Sequence, residues 1–275
     1  MTDRYAVVGN PVAHSKSPEI HASFALQTGQ DLDYSKLLAP LDGFRATVEA
    51  FRASGGKGVN VTVPFKLEAF NLADGVSQRA KDAGAANCLR FEADRIQADN
   101  TDGVGLTRDI TQNLGISLKG KRILLLGAGG AAQGVIVPLL EHEPRILTIA
   151  NRTVDKALRL AETFRHKPVA GASVLCGLPF SELAGHHFDV VINATSASLQ
   201  GELPPLPDDA FAPGALAYDM MYGSAPTPFL AFAASRGARV ADGLGMLVEQ
   251  AAESFLFWRG MRPLTAPVIA RLRKS

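Results

Sequence analysis

The chain changes its rhythm of apolar and polar positions near residue 120. Before that point the pattern is mixed. In 58–63 the valines at 59, 61 and 63 alternate with Asn60 and Thr62, the period of two of a strand with one apolar and one polar face. Short apolar runs predict strands at 5–9 and 34–38, and a further pair at 88–91 and 95–98 joined by Glu92-Ala93-Asp94. Helical spacing predicts helices over 19–28 and over 43–54, where Phe44, Val48 and Phe51 share a face. Pro18 suits a first helical turn and Ser17 its N-cap. Pro64 opens a short helix with Phe65 and Lys66 in its first turn, and 76–82 reads as another. Asn100-Thr101-Asp102-Gly103 breaks the pattern, and a helix follows to about 114.

From Lys121 the pattern becomes repeating strand and helix. Strands are predicted at 122–126, 146–150, 173–175, 190–193, 216–218 and 239–241, with helices at 131–141, 154–164 and 228–235. Such alternation argues for a parallel, doubly wound sheet with helices on both faces. The amphipathic segments 243–258 and 265–272 have no place in that sheet, so the chain is expected to return to its first domain. The fold class is therefore α/β with two domains. Residues 1–104, completed by 243–275, form an N-terminal α/β substrate domain, and 105–242 form a Rossmann-type dinucleotide domain. Gly115–Gly120 is the polar link that suggests the division.

The run Ile123-Leu124-Leu125-Leu126 leads into Gly127, Ala128, Gly129, Gly130, Ala131 and Ala132. Glycines at 127 and 129 with Ala132 fit G-x-G-x-x-[GA], a turn that lets backbone N–H groups approach a pyrophosphate at a helix N-terminus. One strand further on, Asn151-Arg152-Thr153 with Lys156 stands where an NAD site carries an acid for the ribose 2′-hydroxyl. Two cations there suit a 2′-phosphate, with Arg152 able to fork onto it or stack on adenine, so NADP is expected rather than NAD. The plainer reading is a solvated helix start.

A second polar set lies earlier. Asn60 and Thr62 share a strand face, Lys66 follows within one turn, and Asp102 sits at the break near residue 100. A helix N-terminus disfavours a charged lysine and a nearby aspartate favours it, so such a pair can hold and pass a proton. Residue types alone leave a surface lysine and a capping aspartate as the ordinary reading. Along the penultimate helix Gly243, Met246 or Leu247, and Gln250 share one face, which offers room for a flat ring, an apolar contact and a polar tip. Met246 and Leu247 could equally be core.

Several motifs taken together resemble the shikimate dehydrogenase family, nearly from end to end. They are Gly9-Asn10-Pro11 with His14-Ser15-Lys16-Ser17-Pro18, Asn60-Val61-Thr62-Val63-Pro64-Phe65-Lys66, Gly84-Ala85-Ala86-Asn87 and Asp99-Asn100-Thr101-Asp102-Gly103. With them come the glycine turn, Asn151-Arg152-Thr153, Asn193-Ala194-Thr195-Ser196, Tyr218-Asp219-Met220 with Tyr222, and Asp242 to Val248 with Gln250. The resemblance implies NADP-dependent interconversion of 3-dehydroshikimate and shikimate, on the route to chorismate and aromatic amino acids. It implies Lys66 and Asp102 flanking the reacting oxygen, with Lys66 the principal proton carrier. Ser15 and Ser17, assisted by Tyr222, would hold the substrate carboxylate. Thr62, Asn87 and Gln250, with Lys66 and Asp102, would fix the ring hydroxyls, Asn60 is counted with them as substrate-binding, and Thr195, Met220, Gly243 and Met246 would meet the cofactor. Two stretches depart from the family pattern. Ser196-Ala197-Ser198-Leu199-Gln200-Gly201 stands where a Ser-Gly pair is more usual, and Ala86-Asn87-Cys88 replaces Val-Asn-Thr.

Composition narrows the partners. The formal charge of +1 gives no argument for nucleic acid or an anionic membrane. No apolar run is long enough to span a bilayer, a strand follows Met1 so closely that no signal peptide is expected, and the two cysteines suit reduced thiols in a cytoplasm. His14, His21, His142, His166, His186 and His187 show no ligand spacing and read as surface or structural, so no metal is expected. The enzyme is expected to be a monomer or homodimer. The competing readings are a quinate/shikimate dehydrogenase paralogue and a non-catalytic NADP-sensing module.

Overall fold

The structure is a computed structural model that describes residues 2–165, 167, 173–195, 197 and 201–274. The chain divides into two compact units, Met1–Gly105 with Leu247–Ser275, and Leu106–Met246.

The first unit runs β1 (Asp3–Gly9), α1 (Ser17–Thr28), β2 (Leu32–Leu38), α2 (Phe44–Ala53), β3 (Gly56–Val61), α3 (Lys66–Leu72), β4 (Gly75–Val76), α4 (Gln78–Ala83), β5 (Cys88–Phe91), β6 (Ile96–Asp99) and the start of α5 (Asp102–Arg108). Its sheet has the order β2-β1-β3-β5-β6-β4. β1 pairs in parallel with β2 and β3, whereas β5 is antiparallel to both β3 and β6. Ala6, Val8, Val59 and Val61 face one core with Phe44, Val48, Phe51 and Phe65. Tyr5, Val7 and Tyr34 face the other way.

The second unit continues with β7 (Arg122–Leu126), α6 (Gly130–Leu140), β8 (Ile146–Ala150), α7 (Val154–Arg165), β9 (Val174–Leu178), β10 (Phe188–Asn193), β11 (Phe211–Asp219), α8 (Pro228–Ser235) and β12 (Arg239–Ala241). The six strands are parallel in the order β12-β11-β10-β7-β8-β9. This is the doubly wound arrangement, with its switch point between β7 and β10, where ligands bind beyond the strand ends. The chain closes with α9 (Leu244–Arg259) and α10 (Ala266–Leu272). From Leu247 onward it packs on the first unit, where the Trp258 ring stacks on Tyr5 at 4.6 Å.

The structure departs from the sequence expectations in several places. Ser17 does not cap α1: Lys16 holds the N-cap position with no side-chain bond, and Ser17 is already helical. The alternation of 58–63 ends at Val61, and Val63 is 61% exposed, because the chain leaves the sheet ahead of Pro64, which has no N–H to pair. The helix after Gly103 does not run on unbroken to 114. It widens into a π-helical turn at Asp109–Asn113. The strand expected at 173–175 lies at Val174–Leu178, and β11 begins five residues before the expected 216.

Candidate active site

Lys66 and Asp102 are each the first residue of a helix, α3 and α5. Lys66 Nζ donates to Asp102 Oδ2 at 2.6 Å. The loop that delivers Asp102 is pinned from below. Asp99 is 3% exposed and accepts from Ser77 Oγ (2.6 Å), from the Arg79 guanidinium and from the Asn100 N–H (2.7 Å). Asn100 in turn accepts from the Asp102 N–H (3.1 Å) and donates to the Ala85 carbonyl (3.0 Å). The motif Asp99 to Asp102 thus spends its first two side chains on holding the fourth.

Asn87 joins this pair to the rest of the polar set. Its Nδ2 donates to Asp102 Oδ1 (2.9 Å) and lies within reach of Thr101 Oγ1 (2.9 Å) and Gln250 Oε1 (3.2 Å). Its Oδ1 accepts from the Thr101 N–H at 2.8 Å, so the amide orientation is determined by the backbone. Gln250 Nε2 donates back to the Leu247 carbonyl one turn earlier (2.7 Å). Asn60 is buried beneath. It donates to the Asn87 carbonyl (3.2 Å) and to Ser254 Oγ (2.8 Å), and accepts from the Tyr34 hydroxyl (2.8 Å). Both of its N–H groups are therefore committed to protein. Burial pushes the Tyr34 phenol well above its ordinary pKa, which keeps it a donor.

The remaining substrate candidates of this unit flank the web. The Ser15 hydroxyl donates to Ser17 Oγ (3.1 Å) and accepts from the Ser17 N–H (3.2 Å), so the two hydroxyls sit together at the start of α1. Thr62 follows the end of β3, and its N–H still bonds the Val8 carbonyl (2.9 Å). Gly9 makes room for it: a Cβ there would lie 2.3 Å from the Thr62 methyl. Below the web, His21 is fully buried and its ring lies parallel to Tyr34 at 4.3 Å. Burial lowers its pKa to about 3, against an opposing pull from the Asn60 side chain nearby. No bond of proper geometry forms, and both ring nitrogens lack a partner among the described residues.

In the second unit the glycine turn sits at the switch point. Gly127 adopts φ +107°, and a Cβ there would lie 3.2 Å from the Ala194 carbonyl oxygen. At Gly129 and Gly130, by contrast, an added Cβ would meet nothing within 4 Å. That room is left toward solvent at the uncapped start of α6, where Ala131 is also exposed. Gly127, Ala128 and Gly129 line a recess of about 340 Å³ with Asn151, Arg152, Thr153, Lys156 and Thr195. Arg152 and Lys156 have no ion-pair partner among the described residues. Two unpaired cations beside an open helix N-terminus fit a dinucleotide with an extra phosphate. Thr195 is oriented by Asn193, which accepts from its hydroxyl (2.7 Å) and its N–H (3.1 Å). Gly130 and Ala131 are exposed and are not among the residues that line the recess.

The same recess contains Ala197 of the departing loop and residues that sequence reasoning did not single out: Phe180, Glu202, Leu203, Pro204 and Pro205. The consecutive prolines after Leu203 were the one available signal of a rigid wall. Of the departing loop, residues 196 and 198–200 lie outside the described residues, as does His166 among the histidines. Met220 and Gly243 adjoin, since a Cβ on Gly243 would lie 2.3 Å from the Met220 carbonyl oxygen. The glycine is thus required by the protein's own backbone. Met246 is 8% exposed and packs in the core of this unit, so it offers a ligand an edge at most. Tyr222 follows β11, half-buried, and burial raises its pKa. A second, shallow recess of about 510 Å³ between Thr111–Leu118 and Glu141–Glu143 lies at the N-terminal end of β7 and contains none of these residues. No helix among the described residues is long and apolar enough to cross a membrane.

Comparison with known proteins agrees with this layout. A family model described as "Shikimate dehydrogenase substrate binding domain" matches residues 7–89. One described as "Shikimate / quinate 5-dehydrogenase" matches 108–200, and one for the "Shikimate 5'-dehydrogenase C-terminal domain" matches 243–273. The chain is 62% identical to the shikimate dehydrogenase (NADP(+)) of Nitrosospira multiformis, covering 100% of this chain and 98% of that one. Among solved structures, an Ael1 enzyme from Pseudomonas putida superposes with a TM-score of 0.93 at 52% identity, over 98% of both chains. The Thermus thermophilus shikimate 5-dehydrogenase in complex with NADP(H) and shikimate superposes at 0.87 with 32% identity, over 99% of both. With a lysine–aspartate pair in one unit, two cations beside a glycine turn in the other, and matches of this extent, the chain belongs to the shikimate dehydrogenase family.

Proposed function

We infer that this chain is an NADP-dependent oxidoreductase that interconverts shikimate and 3-dehydroshikimate, a step toward chorismate and the aromatic amino acids. The observation that carries the reading is the Lys66–Asp102 pair, 2.6 Å apart and tied through Asn87 to Gln250. It occurs in a chain whose full-length relatives are named shikimate dehydrogenase (NADP(+)).

NADP, when bound, supplies the hydride donor or acceptor. The chain's residues do the rest. The N–H groups at the start of α6 hold the pyrophosphate, and Arg152 and Lys156 neutralise the 2′-phosphate, with Asn151 and Thr153 shaping that corner. Thr195, Met220 and Gly243 complete the cofactor side, with the edge of Met246. In the reducing direction the Lys66 ammonium gives a proton to the reacting oxygen as negative charge develops there, and in the oxidising direction its amine takes that proton from the substrate hydroxyl. Asp102 keeps Lys66 aimed and accepts from the same hydroxyl. Ser15 and Ser17 hold the carboxylate through neutral hydroxyl donors. Thr62, Asn87 and Gln250 fix the ring hydroxyls, and Asn60, with both N–H groups committed, contributes its placement of Asn87. A cytoplasmic setting is supported by the two free thiols, Cys88 and Cys176.

The experiment is an NADPH absorbance assay on purified protein with shikimate, quinate and simple alcohols, each with NADP and NAD. Turnover of shikimate with NADP at a kcat/KM well above that of every other combination supports the reading. Preference for quinate would assign the paralogue, and nucleotide binding without turnover would assign a sensor.

A further inference from the structure

A buried carboxylate that the mechanism does not use sits under the cofactor side of the second unit. Asp109 lies in the π-helical turn after α5 and is 2% exposed. Its Oδ2 accepts from the Tyr218 hydroxyl at 2.6 Å, and its Oδ1 accepts from Asn113 Nδ2 at 2.9 Å. The carboxylate also lies against the first turn of α9. A Cβ built on Gly245 would fall 2.0 Å from Asp109 Oδ1, so the second residue of α9 must be glycine for the carboxylate to fit. The N-terminal turn of a helix, with its free N–H groups and partial positive charge, favours an anion there.

Tyr218 is fully buried, and burial together with the Asp109 charge raises its pKa well above the ordinary value, so it remains a donor. It stands on β11 two residues before Met220. Met220 is anchored by its N–H to the Asn193 carbonyl (3.0 Å), and Gly243 by its N–H to the Met221 carbonyl (2.9 Å). One carboxylate therefore ties the end of β11 to the start of α9, the two segments whose backbones touch at Met220 and Gly243. A desolvated carboxylate is a poor source of net stability, and an apolar pair of the same volume would often serve folding as well.

We propose that Asp109 and Tyr218 are positioning residues for the nicotinamide end of the cofactor site, holding the Met220–Gly243 corner in place without touching the cofactor. The proposal rests on the reading that Met220 and Gly243 meet the nicotinamide, whereas Arg152 and Lys156 meet the 2′-phosphate. Loss of the Tyr218 hydroxyl should then be felt by one end of the ligand only.

The test compares two ligands by titration calorimetry: NADPH, and adenosine 2′,5′-bisphosphate, which carries the adenosine and the 2′-phosphate but no nicotinamide. For Tyr218→Phe the expected result is a rise of about tenfold in Kd for NADPH, because the Met220–Gly243 corner is no longer held in its binding position. The Kd for the bisphosphate should stay within about twofold. Gly245→Ala, which drives a methyl group into the Asp109 carboxylate, should give the same split and serves if the first variant does not fold. Equal weakening of both ligands, or a lowered Tm with neither Kd changed, would make the pair merely structural and overturn the proposal. Failure of the unmodified protein to bind either ligand would instead overturn the cofactor assignment itself, and this proposal with it.

Discussion

Replacing Lys66 with alanine separates catalysis from stability, because the structure predicts very different sizes for the two effects. A positioned proton donor contributes roughly 10²–10⁴ to a rate, or about 2.7–5.4 kcal/mol of barrier. The Lys66–Asp102 pair is 33% and 18% exposed at its two side chains, so solvent screens it. Its contribution to folding is at most ~1 kcal/mol. For a chain of this length that is a Tm shift of about 2–4 °C. Asp102 keeps its bond from Asn87 Nδ2 in the variant and is not stranded. We therefore expect Lys66→Ala to lose at least about a hundredfold in kcat for shikimate oxidation while melting within a few degrees of the unmodified protein. Shikimate binding, measured by calorimetry in the presence of NADP, should persist, since Ser15, Ser17, Asn87 and Gln250 are untouched. Lys66→Arg refines the test. Arginine keeps the charge but does not release a proton at working pH, so it should not restore turnover. A kcat for Lys66→Ala within about tenfold of the unmodified enzyme would refute the assignment of the proton to Lys66. Full activity in Lys66→Arg would show that charge alone is required.

Three further outcomes follow from other parts of the molecule. Arg152→Gln should raise KM for NADP by about 10–100-fold and leave KM for NAD nearly unchanged, because the lost contact is to the 2′-phosphate alone; equal effects on both cofactors would contradict that placement. His21 has a folded pKa of about 3 against an ordinary 6.5, so the unfolded state binds the extra proton first. The stability held by neutral His21 is complete above pH 6.5 and is lost as pH falls toward 3, at about 1.4 kcal/mol per pH unit. His21→Phe, which replaces an unpaired ring in an aromatic cluster, should flatten that acid limb in denaturant melts, and an unchanged limb would assign it to other groups. Cys88 is fully buried, and burial pushes its thiol pKa far up, so iodoacetamide should label Cys176 in the native protein and Cys88 only after unfolding, as read by peptide mass spectrometry.

How legible each feature was depends on how local its cause is. The strand Arg122–Leu126 and its glycine turn were plain, because a continuous apolar run followed by Gly127 has few other solutions. The nearness of Arg152 and Lys156 to that turn was plain for the same reason, since both stand at or just before the start of α7, one strand further on in an alternating fold. The π-helical turn at Asp109–Asn113 was hidden, because it forms around a carboxylate whose partner, Tyr218, lies more than a hundred residues away. Ser17 looked like a cap because cap and first-turn positions share residue types, and only the chain's path into α1 separates them. The pairing of Lys66 with Asp102 could not be read from spacing at all; it depends on β3, β5 and β6 bringing the starts of α3 and α5 together, and the family resemblance anticipated it. Phe180 and Leu203–Pro205 enter the nucleotide recess through loops whose course no periodicity describes.

The most direct test of the central claim is kcat/KM for shikimate measured side by side with NADP and NAD on the unmodified enzyme and on Arg152→Gln. The account predicts fast shikimate oxidation that strongly prefers NADP, and a variant in which that preference collapses while turnover at saturating cofactor survives. Equal use of the two cofactors by the unmodified enzyme, or no oxidation of shikimate with either, would contradict it.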